Sequence, residues 1–340
     1  MTNEQWEQLL AVIDGQETTA PVGFIIDSPW LPSWSGMQAI DYYSSEAMWF
    51  EANMKAITTF PEVLFLPGFW SEFGMCTEPS AFGVRCKWAQ DEMPFADKII
   101  NDVSDIAKLQ KPNARTDGLL PLMLHRLKAY EGRIVEAGHQ IRFAVARGPL
   151  NIASFLMGTT ELMMALYTDP EPIAQLMTLI TDFTADWLTV QKEACPSIEG
   201  VLILDDIVGF IGEADFKKWA APYLTRLFNC LDVPVRFFHN DAQGLVCAPH
   251  LKDVGINLFN FSYEHPMPEM QKLVGDSVTL LGGIPTREVL AQGTPDEVAA
   301  AVKAVRDSLT DTRRVILSCG GGMPPAVATE NIRAFIEAAR

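Results

Sequence analysis

Eight short apolar runs, separated mostly by segments with helical periodicity, constrain the fold of this 340-residue chain most strongly. Apolar runs of roughly four to eight residues bounded by turn signals are typical of buried strands. Eight strands alternating with helices predict a (β/α)8 TIM barrel, and we expect residues 1–340 to form a single domain. The runs are 21–26, 63–66, 141–145, 201–204, 235–241, 256–261, 278–281 and 315–317.

The composition excludes several classes of function. The formal net charge is −17, and no run of Lys or Arg compensates for it, which argues against non-specific binding of nucleic acid. No uncharged apolar stretch approaches the roughly 20 residues that span a bilayer, so we expect no membrane anchor. The six cysteines form no CxxC pair, and the chain shows no secretory leader, which predicts reduced thiols and a cytoplasmic protein.

Two long segments, 28–37 and 69–94, follow the first two predicted strands and are rich in aromatic residues. The first contains too much proline for regular structure. Both contain more aromatic residues than surface loops without a function usually do, so we expect them to form the wall or the cover of a substrate pocket. The alternative is that these side chains only pack the loops onto the barrel. The candidate substrate-binding residues are Trp30, Trp34, Phe69 and Trp70.

Polar side chains follow most of the predicted strands, at the point where the apolar run ends. In a (β/α)8 barrel these carboxyl ends form the face that carries the active site. Asp27, Asp205 and Asp206 are therefore candidates for substrate binding or proton transfer. Arg147 is a candidate for substrate binding. Helix capping and ion pairing with Arg147 are the alternatives for the Asp205-Asp206 pair.

Two strand ends carry groups that bind metals. His239 and Asp241 lie at the end of the fifth run and Cys319 follows the eighth, so the barrel would bring them to one face. These residue types are ligands of zinc, and three protein ligands leave a position for substrate or for a fourth group such as Glu264.

Each of these metal assignments has an alternative. A histidine at a strand end also serves as a hydrogen-bonded structural residue, and Cys319 as a buried apolar side chain. His250 and His265 lie near the same rim and are alternatives to Asp241 as ligands.

Four further segments carry a family resemblance through their order and spacing. They are Gly148-Pro149 with the helices after it, 200–223 (GVLILDDIVGFIGEADFKKWAAPY), 281–284 (LGGI) and 317–331 (LSCGGGMPPAVATEN). Together they resemble the uroporphyrinogen decarboxylase superfamily, which includes cobalamin-dependent methyltransferases acting on methanol, methylamine and methoxylated substrates. The similarity covers nearly the full length and implies the same barrel fold.

The decarboxylases of this superfamily carry an arginine-rich segment after the first strand, where it binds the carboxylates of a tetrapyrrole. Here residues 25–32 read IIDSPWLP and contain no arginine. An octa-anionic substrate facing Asp27 in so acidic a chain would be repelled, which argues against porphyrin decarboxylation.

The methyltransferase branch resembles the chain more closely. Its zinc ligands are a His-x-Cys pair after the fifth strand and a cysteine after the eighth, and this pattern matches His239 and Cys319, with Asp241 in place of the middle cysteine. Exchange of a thiolate for a carboxylate gives a harder Lewis acid, suited to an ether oxygen. The resemblance thus implies zinc-dependent demethylation of a small donor.

The acceptor would be the Co(I) corrinoid (cobalamin) of a separate protein, because the chain has no Asp-x-His-x-x-Gly segment to bind a corrinoid. The aromatic loops favour a methoxylated aromatic as the donor. The alternatives are a metal-free decarboxylase and a non-catalytic barrel that binds a small molecule. The sequence leaves a homodimer open.

Overall fold

Parallel strands dominate the structure, a computed structural model that describes residues 1–26 and 29–340. The strands are β1 Gly23–Ile25, β2 Leu64–Leu66, β3 Cys86–Lys87, β4 Phe95–Ala96, β5 Phe143–Arg147, β6 Gly200–Leu204, β7 Val235–Asn240, β8 Leu258–Phe261, β9 Thr279–Ile284 and β10 Val315–Cys319. Each of the eight predicted strands overlaps one of the observed strands. They could be recognised as apolar runs because these strands are buried on both faces.

The strand order forms a barrel. A six-stranded parallel sheet runs β10-β9-β8-β7-β6-β5, and β1 pairs in parallel with β2. A parallel bridge between Val22 and Leu317 joins this pair to β10. From β5 to β10 each strand pairs with its successor in the chain, as β1 does with β2, and this parallel order confirms the predicted (β/α)8 fold. The antiparallel hairpin β3–β4 lies in the long segment after β2.

Helices connect the barrel strands. They are α1 Asn3–Ile13, α2 Leu31–Ser35, α3 Ala39–Ser44, α4 Glu46–Thr59, α5 Leu120–Glu136, α6 Pro149–Met157, α7 Thr159–Thr168, α8 Pro170–Ala194, α9 Glu213–Asp215, α10 Ala221–Phe228, α11 Leu251–Val254, α12 Met267–Val274, α13 Pro295–Ser308 and α14 Thr329–Ala339. Shorter 3-10 turns and π turns lie between them. Among the described residues, no helix combines the length and apolarity that crossing a bilayer requires.

Two local differences from the sequence prediction have a common cause in proline. The segment 28–37 contains a short helix, α2, because Pro32 sits in its first turn, where the missing N–H needs no acceptor. The helical segment expected between the fourth and fifth apolar runs is divided by a π turn, Phe216–Ala220. Pro222 lies directly after that turn and cannot donate the backbone hydrogen bond that a continuous α-helix requires.

The amino-terminal end of the barrel is closed by α1. Trp6 meets Phe143, the first residue of β5, edge to face at 5.6 Å between ring centroids. Thr279, the first residue of β9, donates a hydrogen bond to the carbonyl of Val12 at 3.5 Å. Apolar side chains of the strands fill the interior above this helix. His239, the fifth of the six residues of β7, lies towards the opposite, carboxyl end of the strands.

Candidate active site

His239 and two aspartates form the centre of the site. One ligand atom each from Asp206, His239 and Asp241 lies within 4.8 Å of the others. The distance from His239 Nε2 is 3.5 Å to Asp206 Oδ1 and 3.9 Å to Asp241 Oδ2. His239 lies on β7 and is only 6% exposed. The cluster is the one group of three or more such ligands that the described part of the chain brings together.

The opposite edge of the His239 ring contacts the neighbouring strand. Residues 239 and 260 are register partners in β7 and β8, and His239 Nδ1 lies 2.8 Å from Asn260 Oδ1. The amide nitrogen of Asn260 in turn donates to the carbonyls of Leu281, at 2.9 Å, and Cys319, at 3.4 Å. Asn260 is fully buried, so these contacts connect the imidazole to four adjacent strands.

The two adjacent aspartates have different surroundings. Asp205 is fully buried and accepts hydrogen bonds from the backbone N–H groups of Leu150 and Asn151 at the start of α6, at 3.0 and 2.9 Å. It thus caps a helix that has no side-chain cap of its own, one of the alternatives predicted for it. Burial raises the pKa of Asp205 well above its usual value, and the two N–H groups oppose that shift.

The Gly148-Pro149 motif permits this cap. A Cβ at Gly148 would lie 2.2 Å from Asp205 Oδ2, so any larger residue would push the carboxylate away from α6. Pro149 occupies the first turn of the helix, where its missing N–H is tolerated.

Asp206, by contrast, faces the imidazole. Its Oδ1 accepts a hydrogen bond from the backbone N–H of Asp241 at 3.3 Å, and its Oδ2 accepts one from the side chain of Asn151 at 3.4 Å. Burial raises the pKa of Asp241, the charge of Asp206 adds to the shift, and His239 opposes it. The two carboxylates repel each other, and a bound cation would relieve that repulsion.

Cys319 and Glu264, both predicted as metal ligands, lie outside the cluster. The Cys319 thiol is buried and donates to the carbonyl of Gly321 at 3.4 Å. Gly321 has φ +118°, and a Cβ there would lie 2.6 Å from Asp241 Oδ2, so this glycine lets the β10 loop approach the site. Glu264 is exposed after β8. Asp206 therefore takes the place in the cluster that the sequence assigned to Cys319.

The two alternative histidines have other partners. His250 Nε2 lies 3.0 Å from Glu213 Oε1, and its ring stacks on Phe216. His265 Nε2 accepts a hydrogen bond from the backbone N–H of Gly244 at 3.1 Å. Neither belongs to the candidate metal cluster.

Arg147 is engaged by carboxylates of the segment after β2. Its guanidinium lies 3.3 Å from both Glu72 and Glu78, and its backbone N–H donates to Glu78 at 3.2 Å. All three side chains are buried. The structure thus pairs Arg147 with Glu72 and Glu78 rather than with Asp205-Asp206, and this ion-pair network anchors the loop.

The four aromatic residues predicted to contact substrate are packed within the protein. Trp30 is fully buried, donates from Nε1 to the carbonyl of Val327 and stacks on Trp34. Trp34 is held by a hydrogen bond to Thr329. Phe69 packs against α4, and Trp70 joins the apolar cluster inside the barrel. These four side chains pack the loops onto the barrel, whereas other residues of the same two segments line the cavity above His239.

A cavity of about 740 Å³ opens above His239 and Asp241. Its wall combines three methionines, several prolines and one aromatic ring, that of Tyr263. Four carboxylates face one guanidinium, so the wall is acidic. Both segments predicted to wall a pocket, 28–37 and 69–94, line this cavity, but with methionine, proline and carboxylate side chains rather than with the predicted aromatic residues. The residues of the turn after β9 were not predicted. The charged and aromatic residues are Asp91, Glu92, Asp241, Tyr263, Arg287 and Glu288, and the methionines are Met37, Met93 and Met323.

The remaining predicted residue, Asp27, lies outside the described residues. For Asn260, a polar residue within the sixth apolar run, the sequence predicted no role. Alternate residues of a strand point to the same face, and this pattern was the sequence signal that could have placed Asn260 on the inner face of the barrel. The register that brings it opposite His239 becomes visible only in the folded sheet.

Comparisons with known proteins agree with this architecture. A methyltransferase from Methanosarcina mazei superposes with a TM-score of 0.82 over 98% of this chain and 97% of its own, at 15% sequence identity. A B12-independent methionine synthase from Shewanella sp. W3-18-1 gives a TM-score of 0.56 over 95% of both chains, at 11% identity.

Sequence relatives point the same way. Uroporphyrinogen decarboxylase of Citrifermentans bemidjiense is 26% identical over 247 residues, 70% of this chain and 69% of the relative. That of Hydrogenovibrio crunogenus is 22% identical over 277 residues, 77% of this chain and 75% of the relative. The family model for uroporphyrinogen decarboxylase (URO-D) matches residues 32–340. The chain belongs to the uroporphyrinogen decarboxylase family.

Proposed function

We propose that this protein is a metal-dependent methyltransferase that moves a methyl group from a small methoxylated donor to the Co(I) corrinoid of a separate protein. The observation that carries the proposal is the buried imidazole of His239, facing two carboxylates at the floor of a cavity. The structural similarity to a methyltransferase supports it. Zinc is the metal that we propose, and residues 1–340 are proposed to act as a single domain.

The residues present fit a divalent cation. Zinc ligands bound at about 2.0–2.2 Å lie roughly 3.4 Å apart across a tetrahedral angle. The observed distances of 3.5 and 3.9 Å from His239 Nε2 to the two carboxylates need little adjustment. We propose that Asp206, His239 and Asp241 hold the ion. Bound there, it would supply a Lewis acid for the ether oxygen of a methoxy group, and for the alkoxide or phenolate that is released when the O–CH3 bond breaks and the methyl group bonds to Co(I).

The chain's own residues would prepare the site for this chemistry. Asp206 and Asp241 supply hard oxygen ligands, which favour a harder ion than a thiolate-rich site does. Met37, Met93 and Met323 offer adaptable apolar contacts to the body of the donor. Tyr263 supplies an aromatic face for a ring. The proposal that the donor is a methoxylated aromatic is therefore based on the residues of this cavity wall and not on the tryptophans of the loops.

The charge of the cavity predicts which donors bind. Three carboxylates of the wall, Asp91, Glu92 and Glu288, remain when Asp241 is set aside as a metal ligand, and they face Arg287. We expect para-methoxybenzylamine to show a lower KM than para-methoxybenzoate by at least about tenfold, equivalent to about 1.4 kcal/mol. The uncharged para-methoxytoluene should lie between them. Initial rates of methyl transfer measure the three constants.

Variants assign that preference to the wall. Glu288→Gln should narrow the difference between cationic and anionic donors, whereas Glu264→Gln, which removes an exposed carboxylate outside the wall, should leave it unchanged. Preference for the anionic donor would contradict the acidic wall as a determinant of specificity.

A metal-free decarboxylase is the second candidate, because the sequence relatives are uroporphyrinogen decarboxylases. The anionic groups of a porphyrin would meet the four carboxylates of the wall, with one arginine to offset them. Arg147 adds no free positive charge, since Glu72 and Glu78 neutralise it. The charges therefore disfavour this candidate.

Metal content and methyl transfer test the proposal together. We expect about one zinc ion per chain in protein purified without a metal-affinity tag, as a three-ligand catalytic site requires. Added cob(I)alamin should be methylated by para-methoxytoluene in the presence of this protein. Glu264→Gln should retain both metal and activity. Carbon dioxide release from a carboxylated substrate by metal-free protein would favour the decarboxylase. If neither reaction occurred, the protein would be a non-catalytic barrel that binds a small molecule.

A further inference from the structure

We propose that Asn260 is a positioning residue that holds His239 as the Nδ1–H tautomer, so that Nε2 presents a lone pair to the metal. The proposal builds on the metal site of the proposed function, but its first test requires neither metal nor corrinoid. It therefore stands or falls separately from methyl transfer.

The orientation of the Asn260 amide is determined by its partners. The nitrogen has two hydrogens, and two carbonyl oxygens, those of Leu281 and Cys319, lie within 2.9 and 3.4 Å of it. Carbonyl oxygens only accept hydrogen bonds, so a flipped amide would set its own oxygen against both of them. The observed orientation leaves Oδ1 as an acceptor on the side of His239.

This acceptor selects the tautomer of the imidazole. At 2.8 Å, Asn260 Oδ1 requires a hydrogen on His239 Nδ1, because two facing acceptors would repel each other. A neutral imidazole with a hydrogen on Nδ1 has none on Nε2. The bare Nε2 then faces Asp206 and Asp241, at 3.5 and 3.9 Å.

The competing tautomer shows why a positioning residue is needed beside His239. Two carboxylates near Nε2 favour a hydrogen on that nitrogen, since carboxylates accept hydrogen bonds strongly. A protonated Nε2 cannot bind a metal. The bond to Asn260 is shorter than either contact to a carboxylate, and its acceptor is fixed by three strands, so it favours the metal-binding form. Outer contacts of this kind orient metal-binding histidines generally.

The same network gives Cys319 a role through its backbone. Its carbonyl oxygen, rather than its thiol, meets Asn260, while the thiol donates to Gly321. The last residue of β10 thus supports the site through its backbone.

The tautomer of His239 can be measured directly in metal-free protein. Labelling the five histidines with 15N and recording long-range 1H–15N spectra, at a pH where imidazole is neutral, distinguishes protonated from unprotonated ring nitrogens. A His239→Gln variant identifies the signals of His239. We expect wild-type His239 to carry its hydrogen on Nδ1. A hydrogen predominantly on Nε2 in the wild type would overturn the proposal without any other variant.

Asn260→Leu tests the cause. It removes the acceptor, so His239 should shift towards the Nε2–H form, and zinc affinity measured by competition with a chelator should fall by about 10- to 100-fold. Asn260→Ser provides a smaller replacement if the leucine variant does not fold. An unchanged Nδ1–H tautomer in a folded variant would overturn the proposal.

Asn331→Leu is the matched control. Asn331 is also buried and donates from Nδ2 to two backbone carbonyls, those of Leu290 and Gly293, both at 2.8 Å. Its loss should cost similar stability but leave the His239 tautomer and the zinc affinity as in the wild type. If the Asn260 and Asn331 variants changed the His239 tautomer and the zinc affinity equally, Asn260 would have only a structural role and the positioning role would be rejected.

Discussion

Replacement of Asp206 by asparagine is expected to abolish metal binding and to lower methyl transfer by more than about 100-fold, because loss of an outer partner of a metal ligand alone costs about 10- to 100-fold. The amide keeps the size of the side chain but removes one negative charge and one hard oxygen facing His239. Elemental analysis after dialysis and the initial rate with cob(I)alamin measure the two effects. The melting temperature should change little, because Asp206 is only partly buried.

The adjacent aspartate provides the control for this variant. In Asp205→Asn the amide nitrogen would face one of the two N–H donors of α6, so we expect a loss of about 1–3 kcal/mol of stability with the metal retained. Cys319→Ser should also retain the metal, since the thiol donates to Gly321 and lies outside the cluster. Loss of metal in Cys319→Ser, with retention in Asp206→Asn, would restore the ligand set expected from the sequence.

The barrel could be predicted because its strands are short, apolar and buried on both faces, which leaves a clear pattern in the sequence. Polar residues at the strand ends could likewise be expected to converge, and the structure does bring His239, Asp206 and Asp241 together. The choice among converging groups could not be predicted. It depends on distances of a few ångströms, set by Gly321 and by the β7–β8 register.

Which residues of the long segments after β1 and β2 line the cavity could not be predicted from the sequence. Aromatic residues in such loops serve equally as pocket walls or as packing, and sequence alone does not separate the two. Here Trp30 and Trp70 are buried in apolar clusters, whereas hairpin β3–β4 supplies Asp91, Glu92 and Met93 to the wall. That hairpin has two-residue strands, too short to leave a periodic signal.

Arg147 illustrates a partner choice that sequence cannot reveal, and its replacement is expected to cause the largest loss of stability. In Arg147→Met the carboxylates of Glu72 and Glu78 would stay buried without a cation, so we expect a loss of about 3–5 kcal/mol in the free energy of unfolding. Both glutamates belong to the segment after β2, which should detach from the barrel in the variant. Equilibrium denaturation in urea measures the change.

A triple variant separates charge burial from a role in binding. Arg147→Met combined with Glu72→Gln and Glu78→Gln removes the cation and both buried anions, so much of the lost stability should return, as replacement of complete buried ion pairs often costs little. If Arg147→Met instead kept wild-type stability while the KM of the donor rose, the guanidinium would be a substrate-binding group after all. The expected result makes Arg147 the residue that anchors the loop after β2, and through it hairpin β3–β4, over the cavity.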